Sequence, residues 1–550
     1  MVLKTFIGRA SRRELWIMCG LALLAGVANA VLVVAVINMA KAVAVGKHAG
    51  PLEWGSFLIA FLVYYQGNKM ALVRANIIIE RLLKDLRLSV MDRIRRTELQ
   101  TLEKLGRGDL YTLVSQETNH LSVTFPMLVD SLQQAILLTV SLFYLAFLSF
   151  EVFLGFLLAV MGGYLSYRMI NQSFRLTARL INIRQAHMVD AIDDIIHGSK
   201  ELRLNNRKSD DVFSQYKKTS GAAEALLVMS GEHWASLLLL GSLVTYSLLG
   251  AVAFIFPAEV SGFRDVVFEV IPVLLFCMGA LTKIAAQSPM FLRADVGLQA
   301  ILDIDRKLEE GGDISPDKAR KEAPRYRNFD TLTFDDLAFS YKDKDGESLF
   351  SVGPLDFSVH RGETVFLVGG NGCGKSTVLR NITGLLPLDS GVIRVDRTPL
   401  TGTSIAGYRE LFSAVFVDFH LFDRLYGLEE VNPDEVNQMI DDMGLSGKVL
   451  FEDGRFTQLT LSTGQRKRLA LIAALMEDRP VYIFDEWSAE QDVHFREKFY
   501  TEIIPGLKAK GKTVIAVTHD QRFWHLADRV IKMDLGRIEW DRAGSELESE

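Results

Sequence analysis

The sequence predicts a multi-domain membrane protein: a six-helix all-α transmembrane domain followed by an α/β P-loop nucleotide-binding domain. Three observations predict it. The pattern Gly369-Gly-Asn-Gly-Cys-Gly-Lys375-Ser376 matches a phosphate-binding loop. Apolar stretches long enough to cross a bilayer are confined to the part of the chain before it. The length, 550 residues, is too great for one hydrophobic core. Hydrophobic residues make up 49% of the chain and mean hydropathy is above zero, which points to a membrane fraction. The net charge of -6 is unevenly spread and says nothing of partners; no large basic patch calls for nucleic acid. Cys19, Cys277 and Cys373 lack disulfide or metal-ligand spacing.

Taken in order, the chain opens with Lys4, Arg9, Arg12 and Arg13 before an apolar run, and Ala28-Asn-Ala30 mimics a signal cleavage site. The uncharged run nevertheless continues from Leu15 to Ala40, which reads as an uncleaved first span. The six spans fall at about 15–40, 54–75, 128–150, 152–171, 233–257 and 264–287 within a domain of residues 1–306. The second and sixth carry charges, and the join Ser149-Phe-Glu151 predicts a tight hairpin. Basic residues after span two (Arg74 to Arg96) and span four (Arg168 to Lys200) place those segments, the N-terminus and the second domain in the cytoplasm. Both segments keep helical apolar spacing, as in Ile79, Leu82, Leu83 and Leu86, and predict helical extensions of the spans. Lys69, Gln133, Gln134, Glu269 and Lys283 are the polar positions within spans that could face a substrate cavity. Snorkelling for Glu269 and helix–helix contacts for the glutamines are the plainer alternatives.

Residues 307–330, with Glu309-Glu-Gly-Gly312 and two prolines, read as a linker, and 331–550 as the nucleotide-binding domain. There Thr364–Val368 reads as a strand feeding the loop, and Ser376-Thr377 opens a helix. Gly369, Gly370, Gly372 and Gly374, with Asn371 and Cys373 between them, let backbone N–H groups turn onto phosphate oxygens. Lys375 would reach the β- and γ-phosphates of ATP, and Ser376 would ligate Mg²⁺. Cys373 is incidental to the chemistry but open to alkylation. A second strand, Val481–Phe484, ends in Asp485-Glu486: Asp485 suits Mg²⁺, and Glu486 suits polarising the attacking water. A third, Val514–Val517, leads to His519, placed as a γ-phosphate sensor.

Leu461-Ser-Thr-Gly-Gln465, about 20 residues before Asp485-Glu486, resembles the signature motif of ATP-binding-cassette proteins, with Tyr341 placed like their adenine-stacking aromatic. The resemblance covers essentially the whole chain. It implies a half-transporter working as a homodimer, in which Ser462, Gly464 and Gln465 close over ATP bound by the other copy. The family's usual loop glutamine is replaced by Val417, and Asp418 next to it would supply the missing metal ligand. Its S-A-L-D segment appears as Ser488-Ala-Glu-Gln-Asp492. Together with Gly198–Asn205, these segments resemble one subgroup, the bacterial cyclic-peptide exporters of pyoverdine-precursor, syringomycin and lasso-peptide (microcin) type.

That resemblance implies an ATPase of the bacterial inner membrane that exports a cyclic or modified peptide to the periplasm by alternating access. A pyoverdine-type siderophore precursor ranks first as cargo, with periplasmic or outer-membrane partners possible. Closure would pass through the cytoplasmic segments near Thr101–Gly108 and Asn205. Two alternatives stay open: a lipid or lipid-linked flippase of the same fold, and a membrane-anchored regulatory ATPase.

Overall fold

The computed structural model describes residues 2–44, 50–105, 118–259, 267–312, 315–343, 346–402, 404–428 and 430–547. The end of the Thr101–Gly108 segment and most of the link between spans five and six lie outside the described residues. The chain divides into two compact units: Met1–Val90 with Gly108–Ile304, and Met91–Arg107 with Asp305–Glu550.

After a short helix at Val2–Ile7, the helices in order are α1 (Arg12–Ala44), α2 (Pro51–Arg96), α3 (Leu99–Leu105), α4 (Thr118–Leu148), α5 (Phe150–His197), α6 (Ser199–Leu204), α7 (Asn206–Gly250, continued by residues 251–259) and α8 (Val267–Glu310). Among the described residues four helices are long and apolar enough to cross a membrane, within α1, α4, α7 and α8; the apolar part of α5, Phe150–Ser166, is shorter. The second predicted span lies on α2, whose first half is diluted by Glu53, Gln66, Asn68 and Lys69. At 46 residues α2 is about 69 Å long, against about 30 Å of hydrocarbon. Span and extension are therefore one helix. Its buried stripe, Ala71, Ala75, Ile78, Ile79, Leu82, Leu83, Leu86 and Val90, keeps the spacing of three and four that one helical face requires.

Caps explain the turns. Ser149 leaves the helical region at φ -157°, its Oγ accepts the Val152 N–H and donates to Glu151 Oε2 at 2.9 Å, so α4 ends and α5 begins within one residue. Asn205 opens α7 in the same way, accepting the Lys208 N–H. The first unit keeps an apolar core around Leu137, Leu145, Phe156, Val252, Leu274 and Cys277. It leaves Trp16, Phe143, Phe147, Phe254 and Phe268 exposed, a surface suited to lipid rather than water.

In the second unit the stretch expected as a linker is largely helical. Helix α8 runs to Glu310, and α9 (Pro316–Tyr326) follows with proline in its first turn and Ala319 and Tyr326 buried. Glycines 311 and 312 break the helix only briefly, while the Lys-, Arg-, Glu- and Ala-rich remainder has high helix propensity.

Nine strands of four residues or more follow among the described residues: β1 (Thr331–Lys342), β2 (Ser348–His360), β3 (Thr364–Gly369), β4 (Ser390–Val395), β5 (Phe412–Val415), β6 (Val481–Asp485), β7 (Thr513–Val517), β8 (Arg529–Asp534) and β9 (Arg537–Ala543). An antiparallel sheet runs β2-β1-β4, with Thr398–Pro399 at its edge. A six-stranded sheet runs β9-β8-β3-β7-β6-β5, parallel except at β9. Strands β3, β6 and β7 are almost wholly buried, as a sheet covered on both faces demands. Phe366, Val368, Tyr482 and Phe484 enter one core, and Val365, Leu367, Val481 and Ile483 the opposite one. Phe484 packs edge-on to Phe499 at 5.2 Å. Phe484→Ala is expected to cost about 3–5 kcal/mol and to lower the thermal transition of the nucleotide-binding domain. An unmoved transition would show that this core tolerates the loss.

Candidate nucleotide site

The site forms where three adjacent parallel strands end. Val517 on β7 pairs with Leu367 on β3 and with Asp485 on β6. That register sets the phosphate loop, Asp485-Glu486 and His519 along one edge, the crevice position of open α/β sheets. Helix α10 (Lys375–Ile382) starts at Gly374, which has φ +102°.

The four loop glycines divide by role. A Cβ on Gly369 would lie 2.2 Å from the Met533 carbonyl oxygen, and one on Gly374 would lie 2.7 Å from Val352 Cγ2. At Gly370 and Gly372 a Cβ would meet nothing within 4 Å, so their backbone faces open space at the helix start. Such a cradle fits a phosphate chain. Lys375 Nζ donates to the carbonyls of Gly369 (3.1 Å) and Gly370 (2.8 Å), and lies 3.9 Å from the buried Cys373 Sγ. Asn371 is exposed on the loop and Thr377 is buried beneath it. Tyr341 stands at the end of β1, edge-on to Phe339 at 4.9 Å.

Ser376 Oγ donates to Asp485 Oδ1 at 3.1 Å, which brings two expected metal ligands together. Burial pushes the Asp485 carboxyl above its usual range; the neighbouring Glu486 adds to this, while Ser376 and the Val417 backbone N–H oppose it. Val417 thus contributes its backbone here. Asp418, expected as a substitute metal ligand, instead has its carboxylate taken by Arg380 at 2.9 Å. Arg380 also reaches Glu103 of α3 at 3.5 Å, and Arg409 pairs with Glu98 at 2.7 Å. The turn after α2 is therefore tied to the catalytic domain by two arginines. Glu486 Oε1 and His519 Nε2 are 3.0 Å apart.

Helix α11 (Thr463–Met476) carries the signature run. Ser462 caps it: its Oγ accepts the Gln465 N–H, and the Gln465 side chain accepts the Ser462 N–H. Gln465, expected at the nucleotide, is here half of a capping box, which Ser-x-x-Gln spacing could have revealed. A Cβ on Gly464 would sit 2.6 Å from the Glu490 carbonyl oxygen, so glycine is required for close approach. The variant segment 488–492 gains its own ties. Gln491 Nε2 donates to the Gly464 carbonyl, and Arg468 bonds both Gln491 Oε1 (2.8 Å) and Asp492 Oδ2 (2.7 Å).

Comparison with known proteins agrees with this geometry. A family model for "ABC transporter" matches residues 352–489. The "ATP-binding protein SyrD" of Pseudomonas syringae pv. syringae is 30% identical over 83% of this chain and 82% of its own length. The chain belongs to the ABC transporter family. An "ATP-dependent lipid A-core flippase" of Blochmanniella pennsylvanica is 24% identical over 68% of the transporter and 65% of its own length. The structure of a bacterial Atm1-family ABC exporter with ATP bound superposes with a TM-score of 0.78 at 19% identity, covering 98% of this chain and 96% of that one. The transporter is accordingly an ATP-binding, transport-coupled ATPase with the exporter fold, an N-terminal helical membrane region and an α/β domain.

Within the membrane unit the five expected cavity residues part company. Lys69 is exposed on α2, Glu269 is buried, and Gln133 is buried with its Nε2 unpartnered. Lys283 and Gln134 converge on Asp130: Lys283 Nζ donates to Oδ1 at 2.8 Å and Gln134 Nε2 lies 3.5 Å away. Gln287 Nε2 donates to Asp130 Oδ2 at 2.6 Å and its carbonyl oxygen accepts from Ser131. Asp130 and Gln287 escaped the sequence reading although each stands four residues from an expected one.

Because the folded Asp485 holds its proton to higher pH than the unfolded chain does, it lowers stability as pH rises through its raised pKa. Asp485→Asn is expected to unfold at higher temperature than the parent at pH 8, with the gap closing toward pH 4, while ATPase activity is lost. A variant less stable at pH 8 would contradict this.

Proposed function

We propose that the transporter exports a cyclic or modified peptide across the bacterial inner membrane as a homodimer, with a pyoverdine-type siderophore precursor ranked first as cargo. What supports the peptide class is the resemblance of the Gly198–Asn205, Val417–Asp418 and Ser488–Asp492 segments to cyclic-peptide exporters, and the similarity to the ATP-binding protein SyrD over most of both chains supports a relative of the same build. The Asp130–Lys283–Gln287 cluster supports a cargo with polar groups, since charges retained in a membrane span usually serve a pathway. Lasso peptides fit the same chemistry, and periplasmic partners would receive the cargo.

In this reading ATP lies in the glycine cradle with Lys375 on its terminal phosphates and Tyr341 against its base. Mg²⁺ held by Ser376 and Asp485 would neutralise phosphate charge and offset the buried Asp485 carboxylate. Glu486 orients water toward the γ-phosphorus, and His519, 3.0 Å from Glu486, holds that carboxylate and meets the phosphate. Water's oxygen bonds phosphorus as the bond to ADP breaks. The α11 N-terminus, with Ser462 and Gly464, closes over the ATP of the partner copy, and α3 carries closure toward the spans through Glu98 and Glu103. ATP binding favours the outward-facing state and hydrolysis releases it.

A second reading is a lipid flippase. An apolar cavity of about 690 Å³, lined by Val31, Ala35, Met39, Trp54 and Phe57 of α1 and α2, favours it, as does the similarity to lipid A-core flippases. ATPase rates in lipid nanodiscs, with and without an acylated siderophore-precursor peptide, a lasso peptide or lipid A, separate the readings. Saturable stimulation by one peptide supports export; stimulation by lipid A alone overturns it. Glu486→Gln is expected to lower turnover by about a hundredfold or more while retaining ATP. Wild-type turnover in that variant would remove Glu486 from the chemistry.

A further inference from the structure

The signature helix is joined to the catalytic strand end by a reciprocal pair of hydrogen bonds. Lys467 Nζ donates to the Glu486 carbonyl at 3.0 Å, and Trp487 Nε1 donates to the Lys467 carbonyl at 2.8 Å. The Lys467 side chain is 3% exposed, with its ammonium also 3.4 Å from the Glu490 carboxylate. A buried ammonium is tolerated only where such acceptors surround it.

The residue it holds is strained. Glu486 has φ 49° and ψ 37°, the left-handed region that residues other than glycine occupy only when their surroundings enforce it. Trp487 is fully buried and stacks on Phe499 at 4.5 Å. Beyond it, Ser488 Oγ bonds the Tyr500 hydroxyl, which bonds Thr518, the neighbour of His519. The start of α11 is tied to the same segment by Gln491 and the close approach of Gly464 to Glu490. A shift of α11 along its axis is thereby delivered to the peptide that aims Glu486.

We infer that Lys467, with Trp487 as its counterpart, is a positioning residue that couples the two ATP sites. The α11 N-terminus addresses the partner's nucleotide, while Lys467 sets the backbone of the same chain's Glu486, which acts on that chain's own nucleotide. Occupancy of one site thus orders the water-orienting carboxylate of the other. This rests on the shared-site homodimer proposed above.

The test uses the full-length protein in nanodiscs. Lys467→Met keeps length and burial but removes the donor; Trp487→Phe keeps the ring and removes its N–H. Lys467→Met is expected to lower kcat by about tenfold or more with KM for ATP within about threefold, and to bring the Hill coefficient for ATP down to about 1. Trp487→Phe moves both in the same direction, and Lys467→Arg restores part of each. Wild-type kcat and cooperativity in Lys467→Met, with only a lower unfolding temperature, would reduce the pair to core packing and overturn the inference. Should Lys467→Met fail to fold, wild-type cooperativity in Trp487→Phe overturns it equally. ATP retained by Glu486→Gln tests the dimer separately. Retention near one ATP per chain supports shared sites; no retention overturns that reading, whatever Lys467 does.

Discussion

The register of β7 between β3 and β6 is the constraint on which the catalytic domain depends. Val517 pairs with Leu367 on one side and Asp485 on the other. A slip by one residue would turn every side chain on β7 to the opposite core and would separate the phosphate loop from the carboxylates. The two apolar faces, alternating Phe366 and Phe484 against Leu367 and Ile483, oppose that slip. Packing energy thus sets the Ser376–Asp485 distance, and burial of Asp485 follows from the same packing.

Two kinds of polar contact are built on this frame. Exposed pairs such as Arg455–Asp423 contribute little, being solvated on both sides. Buried ties do more, because a donor or acceptor stripped of water must be met. Lys467 on the Glu486 carbonyl, Trp487 on the Lys467 carbonyl and Gln491 on the Gly464 carbonyl belong to this second kind. They make the signature helix and the Glu486–Asp492 segment one mechanical piece. The arginine pairs to Glu98 and Glu103 are only partly buried.

The membrane unit follows a different logic. Its outward face is apolar, so burial of apolar surface does not drive helix against helix as it does in water. Small residues allow close approach, as where Gly67 faces Ala25, and polar side chains supply specific contacts. The Asp130 cluster is one of these, joining α4 to α8 through a lysine and an amide.

Local features were legible in the chain alone. The phosphate loop, the strand-ending Asp485-Glu486, the Ser149 hairpin and the long helical extensions of the spans depend on neighbours within a few residues, where backbone sterics and periodicity act. The sequence also carried the family, because its motifs occur in fixed order. Tertiary structure alone decided which distant groups meet: Asp418 with Arg380, Lys283 with Asp130, Lys467 with Glu486. Those pairings hinge on how helices and strands pack across 38, 153 and 19 residues of chain. A side chain's partner across such a gap is set by the register of two packed elements, and no local pattern encodes it.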